Sequence, residues 1–138
     1  NVGRNSRLDA LQAAVLLAHA PRVMERVSRR RAIAERYDDG LPGSLPPLPR
    51  SQGSSVHLYM VRAPHRDRLQ RRLADRGIET AVYYPTPLGR QPALQAAVRR
   101  PTPVADALCA ELLALPIHAS LTDADVDAVL TAVYDAHD

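Results

Sequence analysis

Two tyrosines side by side ahead of a proline-rich turn, Tyr83-Tyr84-Pro85-Thr86-Pro87, are the first residues of this chain that could do chemistry. At a strand end their hydroxyls would line a polar ligand pocket. Equally, their rings would complete a core short of aromatic bulk, because Phe and Trp are absent and five Tyr are the only large aromatic side chains. The second candidate is Asn5-Ser6-Arg7, immediately before a helical pattern. These residues suit a helix cap, and a helix N-terminus also favours phosphate, so Asn5 reads either as a cap or as an anion contact. The third is His57, which alternates with Leu58, Tyr59 and Met60. That alternation puts His57 and Tyr59 on one face of a strand, as ligand contacts or as ordinary sheet burial.

Other chemistries find no residues. His19, His57, His65, His118 and His137 never fall at the close pairings of a zinc site, and Cys109 is the one cysteine, so no metal ligand is expected. No glycine-rich phosphate loop is present, and the carboxylates form no isolated pair for acid–base work. Cys109, among Ala and Leu in a predicted helix, reads as an inert thiol. No catalytic residue is expected in these 138 residues. All eighteen basic side chains are arginine and none is lysine, yet the net charge is only +3. Arg29-Arg30-Arg31, flanked by Glu25 and Glu35, reads as a solvated helix face rather than a nucleic-acid surface. No apolar run reaches membrane-spanning length and no signal peptide opens the chain. With one cysteine, these features lead to the expectation of a soluble, cytoplasmic protein.

These candidates need elements to hold them. Leu8, Leu11, Val15 and Leu16 share one helical face, and Ser6 with Asp9 has capping-box spacing that starts a helix at Arg7. Pro21 suits the first turn of a second helix, with Val23, Val27, Ala34, Tyr37 and Leu41 at helical spacing and Gly40 as the stop. Residues 41–55 are a Pro-, Gly- and Ser-rich loop. Val56–Arg62 reads as a strand, Arg66–Arg76 as a helix closed by Gly77, and Ile78–Tyr84 as a second strand. Residues 85–92 are irregular, since three prolines remove donors. Short helices are expected near Ala93–Val98 and over Val104–Leu113, with room for a third strand over Leu113–His118. Thr122 and Asp125 repeat the capping-box spacing before a helix striped by Val126, Val129, Leu130 and Val133. The hexapeptide Ala-Leu-Gln-Ala-Ala-Val occurs at Ala10 and at Ala93, a coincidence of helix-favouring composition. The whole is an α/β layer: helices on a short, mainly antiparallel sheet, preceded by two helices.

Several motifs in order resemble the C-terminal portion of the DegT/StrS-type nucleotide-sugar aminotransferases, pyridoxal-phosphate enzymes of fold type I. They are Gly3-x-Asn5-x-Arg7-Leu-Asp-x-Leu-Gln-Ala-Ala14, Arg30-Arg-Ala-Ile-Ala-Glu-Arg-Tyr37, Val56-His-Leu-Tyr59 and Arg66-Asp-Arg-Leu69. Gly77-Ile-Glu-Thr80, Tyr83-Tyr-Pro-x-Pro-Leu88, Gln91-Pro92, Pro103-Val-Ala, Leu113-x-Leu-Pro116 and Leu121-Thr-Asp-x-Asp125 follow. The family's usual histidine after Pro-x-Pro-Leu is Gly89 here, with Arg90 or Tyr83 as possible substitutes.

The resemblance implies a division into residues 1–41, a helical connection from a large domain, and residues 42–138, a small C-terminal α/β domain. It implies a cofactor, pyridoxal 5'-phosphate, held covalently by a lysine outside this chain, and a homodimer with active sites completed across the interface. Asn5 would then reach the cofactor phosphate of the other subunit, while Tyr83, Tyr84 and His57 would contact substrate. The implied reaction aminates a nucleotide-linked keto-sugar with glutamate as amino donor, and these 138 residues would not catalyse it alone. A chain opening on Asn1 with no lysine fits the expectation of a part. Two other readings stand beside it: a sugar dehydratase of the same family, with histidine in place of the lysine, and a non-catalytic binding domain or gene remnant.

Overall fold

A computed structural model describes residues 8–94 and 100–136. Helix α1 spans Ala10–His19, and its N-cap is Asp9, whose carboxylate accepts from the Leu11 N–H at 2.8 Å. The expected start at Arg7 is therefore three residues early. Asp9 caps the helix itself, while Ser6 lies outside the described residues. A 3-10 turn, Ala20–Arg22, carries Pro21 into α2, Val23–Gly40. Gly40 ends α2, but not through a left-handed backbone, because the positive-φ glycines among the described residues are Gly53 and Gly77. Its missing side chain serves packing: a Cβ there would lie 2.9 Å from Leu130 Cδ1 on the last helix.

Strand β1 is Tyr59–Arg62, shorter than the expected Val56–Arg62. Val56 sits at φ +49°, which breaks the extended backbone, so His57 and Leu58 precede the ladder instead of joining it. Helix α3, Arg66–Ala74, ends in a Schellman turn: Ile78 N–H donates to Leu73 C=O and Gly77 N–H to Ala74 C=O, both at 2.9 Å. Gly77 takes the left-handed position at φ +75°, as its expected capping role requires. Ile78–Tyr84 is not a full strand. Only Ala81 pairs, in an antiparallel bridge to Ala114, because the run is confined between the Gly77 turn and the prolines after Tyr84. Two 3-10 turns, Leu88–Arg90 and Pro92–Leu94, occupy the proline-rich stretch expected to be irregular. The helix expected near Ala93–Val98 lies largely outside the described residues.

Helix α4, Pro103–Glu111, passes without a loop into β2, Leu112–Leu115. β1 and β2 run antiparallel, with Tyr59 opposite Leu115 and Arg62 opposite Leu112. The loop after α2 adds one rung at the far edge of β1, Pro47 to Val61. The order across the layer is thus Pro47, β1, β2, Ala81. Along β2, Leu113 and Leu115 join the helix-facing core, while Ala114 turns to the opposite face, and all are buried.

Helix α5, Asp123–Ala136, buries Val126, Val129, Ala132, Val133 and Ala136. Its capping box is reciprocal: Asp125 accepts from Thr122 N–H at 2.8 Å, and Asp125 N–H donates to Thr122 Oγ1 at 3.1 Å. The Thr122 hydroxyl and amide hold the Asp125 carboxyl below its ordinary value near 3.8. A lowered folded value stabilises above the ordinary range and is lost as pH falls through it. Thr122→Ala should therefore lower the melting temperature by about 3–5 °C at neutral pH, a typical lost cap. The difference from wild type should shrink in acid to the part held by the neutral bond from Asp125 N–H to Thr122 Oγ1; an undiminished difference at low pH would contradict the ionic part of this cap.

The core joins Ile33, Ala34 and Tyr37 of α2 to Leu69 and Leu73 of α3, the stripe of α5, and Tyr59, Val61, Leu113 and Leu115 of the sheet. Tyr37 and Tyr59 meet edge to face with centroids 5.0 Å apart. The Tyr59 hydroxyl donates to Asp38 Oδ1 at 2.8 Å, and Arg50 pairs with the same carboxylate while its guanidinium lies 5.0 Å from the Tyr59 ring. The proline-rich loop is thereby fastened to α2. By contrast, α1 buries no residue, and Leu11 is 78% exposed.

Candidate functional site

The arginine run on α2 is not the solvated face expected of it. Arg29 donates to Leu121 C=O at 2.6 Å and pairs with Asp123 at 2.8 Å, and Arg36 reaches Asp123 and Asp127. Arg31 donates to Ser54 C=O at 2.8 Å. Arg30 differs from its neighbours. Its Nε is buried without a hydrogen-bond partner among the described residues, and no ion pair to it is formed there. Its position explains the burial: Arg30, Ile33, Ala34 and Tyr37 lie at i, i+3, i+4 and i+7 on one face of α2. The cation therefore extends the core-facing stripe by a turn and ends in a cavity.

That cavity is a half-open cleft of about 750 Å³ on the Ala114 side of β2. The Ile78–Tyr84 segment forms one wall, and Pro116 to His118 with α5 forms another. His57, Tyr83 and Tyr84 all line it, together with Arg30 and His118. Three residues singled out in the sequence thus come together, though His57 arrives by a different route from the one expected. It is exposed ahead of β1, whereas Tyr59 is fully buried on the core side, so the two do not share a strand face. Tyr84 is 70% exposed. Arg90 pairs with Asp106 at 2.8 Å instead of lining the cavity. Of the two proposed stand-ins for the histidine replaced by Gly89, only Tyr83 stands at the cavity.

Asn5 lies outside the described residues. Cys109 is half-buried on α4. Among the described residues no group of three His, Cys, Asp or Glu side chains could hold a metal ion. No described helix is long and apolar enough to cross a membrane. The cavity thus offers one guanidinium, two imidazoles, two phenols and the carboxylates of Glu79 and Asp125, a set that binds and orients polar groups. Arg30 was missed in the sequence although a signal existed. Val23, Val27, Ala34, Tyr37 and Leu41 leave one vacant slot in the apolar spacing of α2, and Arg30 fills it.

The DegT/DnrJ/EryC1/StrS aminotransferase family matches residues 1–134. The chain belongs to this family. Among DegT-family relatives, it is 38% identical over 137 residues to the erythromycin biosynthesis sensory transduction protein EryC1 of Saccharopolyspora erythraea, covering 95% of this chain and 37% of that protein. It is 37% identical over 135 residues to a UDP-2-acetamido-2-deoxy-3-oxo-D-glucuronate aminotransferase of Pseudomonas aeruginosa, covering 96% and 37% respectively. The fold superposes on a DegT DnrJ EryC1 StrS aminotransferase of Brucella abortus with a TM-score of 0.90 and 33% identity, over 99% of this chain and 38% of that one. The chain therefore spans about 37% of the length of the curated relatives it matches. The DegT family implies pyridoxal phosphate as cofactor. The residues here do not complete a site for it: the 138 residues contain no lysine to take its aldehyde.

Proposed function

We propose that this chain is the C-terminal part of a pyridoxal-phosphate aminotransferase that converts a nucleotide-linked keto-sugar to an amino sugar, with glutamate as amino donor. The match to nucleotide-sugar aminotransferases along 95–96% of the chain carries this reading. In the proposed division, residues 1–41 connect to a large domain and 42–138 form the small domain, with the second half of α2 anchored in the small domain's core. The Schiff-base lysine belongs to the large domain, and the working unit is a cytoplasmic homodimer in which Asn5 reaches the cofactor phosphate across the interface. Bound pyridoxal phosphate supplies the electron sink for moving the amino group. This chain's residues bind and orient. The Tyr83 and Tyr84 hydroxyls donate to and accept from sugar hydroxyls or carbonyls, the His57 imidazole adds a further polar contact, and β2 with α5 closes the floor against water.

Two measurements test the proposal. The coding sequence upstream of Asn1 should contain a large domain with the Schiff-base lysine; histidine at that position would replace amination by dehydration. The 138-residue chain mixed with pyridoxal phosphate should show no Schiff-base absorbance once its N-terminal amine is blocked. A persistent band would sink the assignment of the covalent site to another part of the protein.

A further inference from the structure

We infer that Arg30 is the oxyanion-receiving residue of the cavity, taking a carboxylate or phosphate oxygen of an anionic substrate; this rests on the proposed aminotransferase reading. Arg29, Arg31 and Arg36 are each satisfied by carbonyls or carboxylates of this chain, so the local structure is held without Arg30. Arg30 lines the cavity and makes no hydrogen bond or ion pair among the described residues; its Nε is covered by protein, which leaves the two terminal amino groups to meet a ligand. A guanidinium donor in that state lacks a strong acceptor, and a planar oxyanion supplies one in two parallel bonds. The acids nearest the cavity do not meet the need. Both Asp125 and Glu79 line the cavity, but Asp125 is committed to Thr122 and no ion pair among the described residues joins Glu79 to Arg30. Tyr83, Tyr84, His57 and His118 on the same walls provide hydroxyls and imidazoles for the rest of such a ligand. Both proposed substrates carry oxyanions: glutamate a carboxylate, the nucleotide sugar a diphosphate.

The test uses the full-length holoenzyme with Arg30→Gln and Arg30→Lys, the second preserving charge without the planar fork. Calorimetry with glutamate and, separately, with UDP is read alongside steady-state kinetics. Arg30→Gln should weaken one of the two ligands by about 10- to 100-fold, the range of a charge-assisted hydrogen bond. KM for the matching substrate should rise more than kcat falls, and Arg30→Lys should recover part of the loss. A loss confined to UDP assigns the diphosphate, and one confined to glutamate assigns the carboxylate. Unchanged binding of both ligands would overturn the inference, as would a drop in melting temperature or oligomeric state with affinities intact, which would make the acceptor a protein carboxylate. If Arg30 governs ligand binding but no transamination occurs, the functional reading fails while the oxyanion site stands.

Discussion

Replacing Tyr59 by alanine is expected to cost about 3–5 kcal/mol, the range for truncating a large buried aromatic. Tyr59 is fully buried, meets Tyr37 edge to face, donates to Asp38 and lies under Arg50. Truncation opens a void between α2 and the sheet and removes the surface on which the Arg50 side chain lies. Against a typical domain stability of about 5–15 kcal/mol, the variant should be near its unfolding threshold. Tyr59→Phe separates volume from hydrogen bonding. It keeps the ring and removes one donor, and Asp38 stays paired with Arg50, so its cost should be about 1 kcal/mol. Urea denaturation followed by circular dichroism measures both. Equal losses in the two variants would show that the hydroxyl, not the ring, holds this corner.

Alkaline pH should unfold the domain through its two core tyrosines. Burial pushes the Tyr37 hydroxyl up to about 12, with Arg36 pulling slightly the other way. Burial, followed by the hydrogen bond and charge of Asp38, raises Tyr59 as well, against a smaller opposing pull from Arg50. Both folded values exceed the ordinary 10.0, so the stabilisation is complete below about pH 10 and is lost as pH rises through the folded values. The geometry gives the reason: the Tyr37 hydroxyl donates to Pro116 C=O at 2.8 Å, and a phenolate there would face a carbonyl dipole. Arginines remain charged across this window, so the surface ion pairs do not account for the loss. The urea midpoint should hold to about pH 10 and then fall steeply, with tyrosinate absorbance rising alongside it. The double variant Tyr37→Phe and Tyr59→Phe should flatten the fall, and a midpoint unchanged at the high end would refute the linkage.

How much of this was legible in the sequence depended on whether a signal was local. The Thr122–Asp125 box, the Gly77 turn and the apolar stripe of α5 were readable because each is decided within a few residues. The strands were overextended because their ends are decided elsewhere. Val56 turns to positive φ inside a β-rich run, and Ile78–Tyr84 faces a four-residue partner that leaves it one bridge. Gly40 was placed correctly at a helix end, but its necessity comes from Leu130, ninety residues away in sequence. The cavity followed the same pattern. Tyr83, Tyr84 and His57 could be nominated by type, but only the fold shows them on shared walls. Arg30 was hidden by composition, because in an arginine-rich helix one more arginine looks like surface until the stripe it interrupts is drawn.

The pairing of Tyr59 with Leu115 also bears on how this domain assembles. The paired residues lie 50 to 56 positions apart in sequence, from Arg62–Leu112 to Tyr59–Leu115, with α3 and α4 between them, so the sheet closes only after a long loop has been brought together. Contacts of such span slow folding. As the chain leaves the ribosome, β1 waits for β2 with one hydrogen-bonding edge unmatched, a template for pairing with other chains. Its opposite edge need not wait. The Leu48 N–H donates to Met60 C=O and the Arg62 N–H to Pro46 C=O, at 2.9 and 3.0 Å, within a segment already synthesised. The proline-rich loop thus doubles as an early guard, halving the time-exposed edge of the nascent strand.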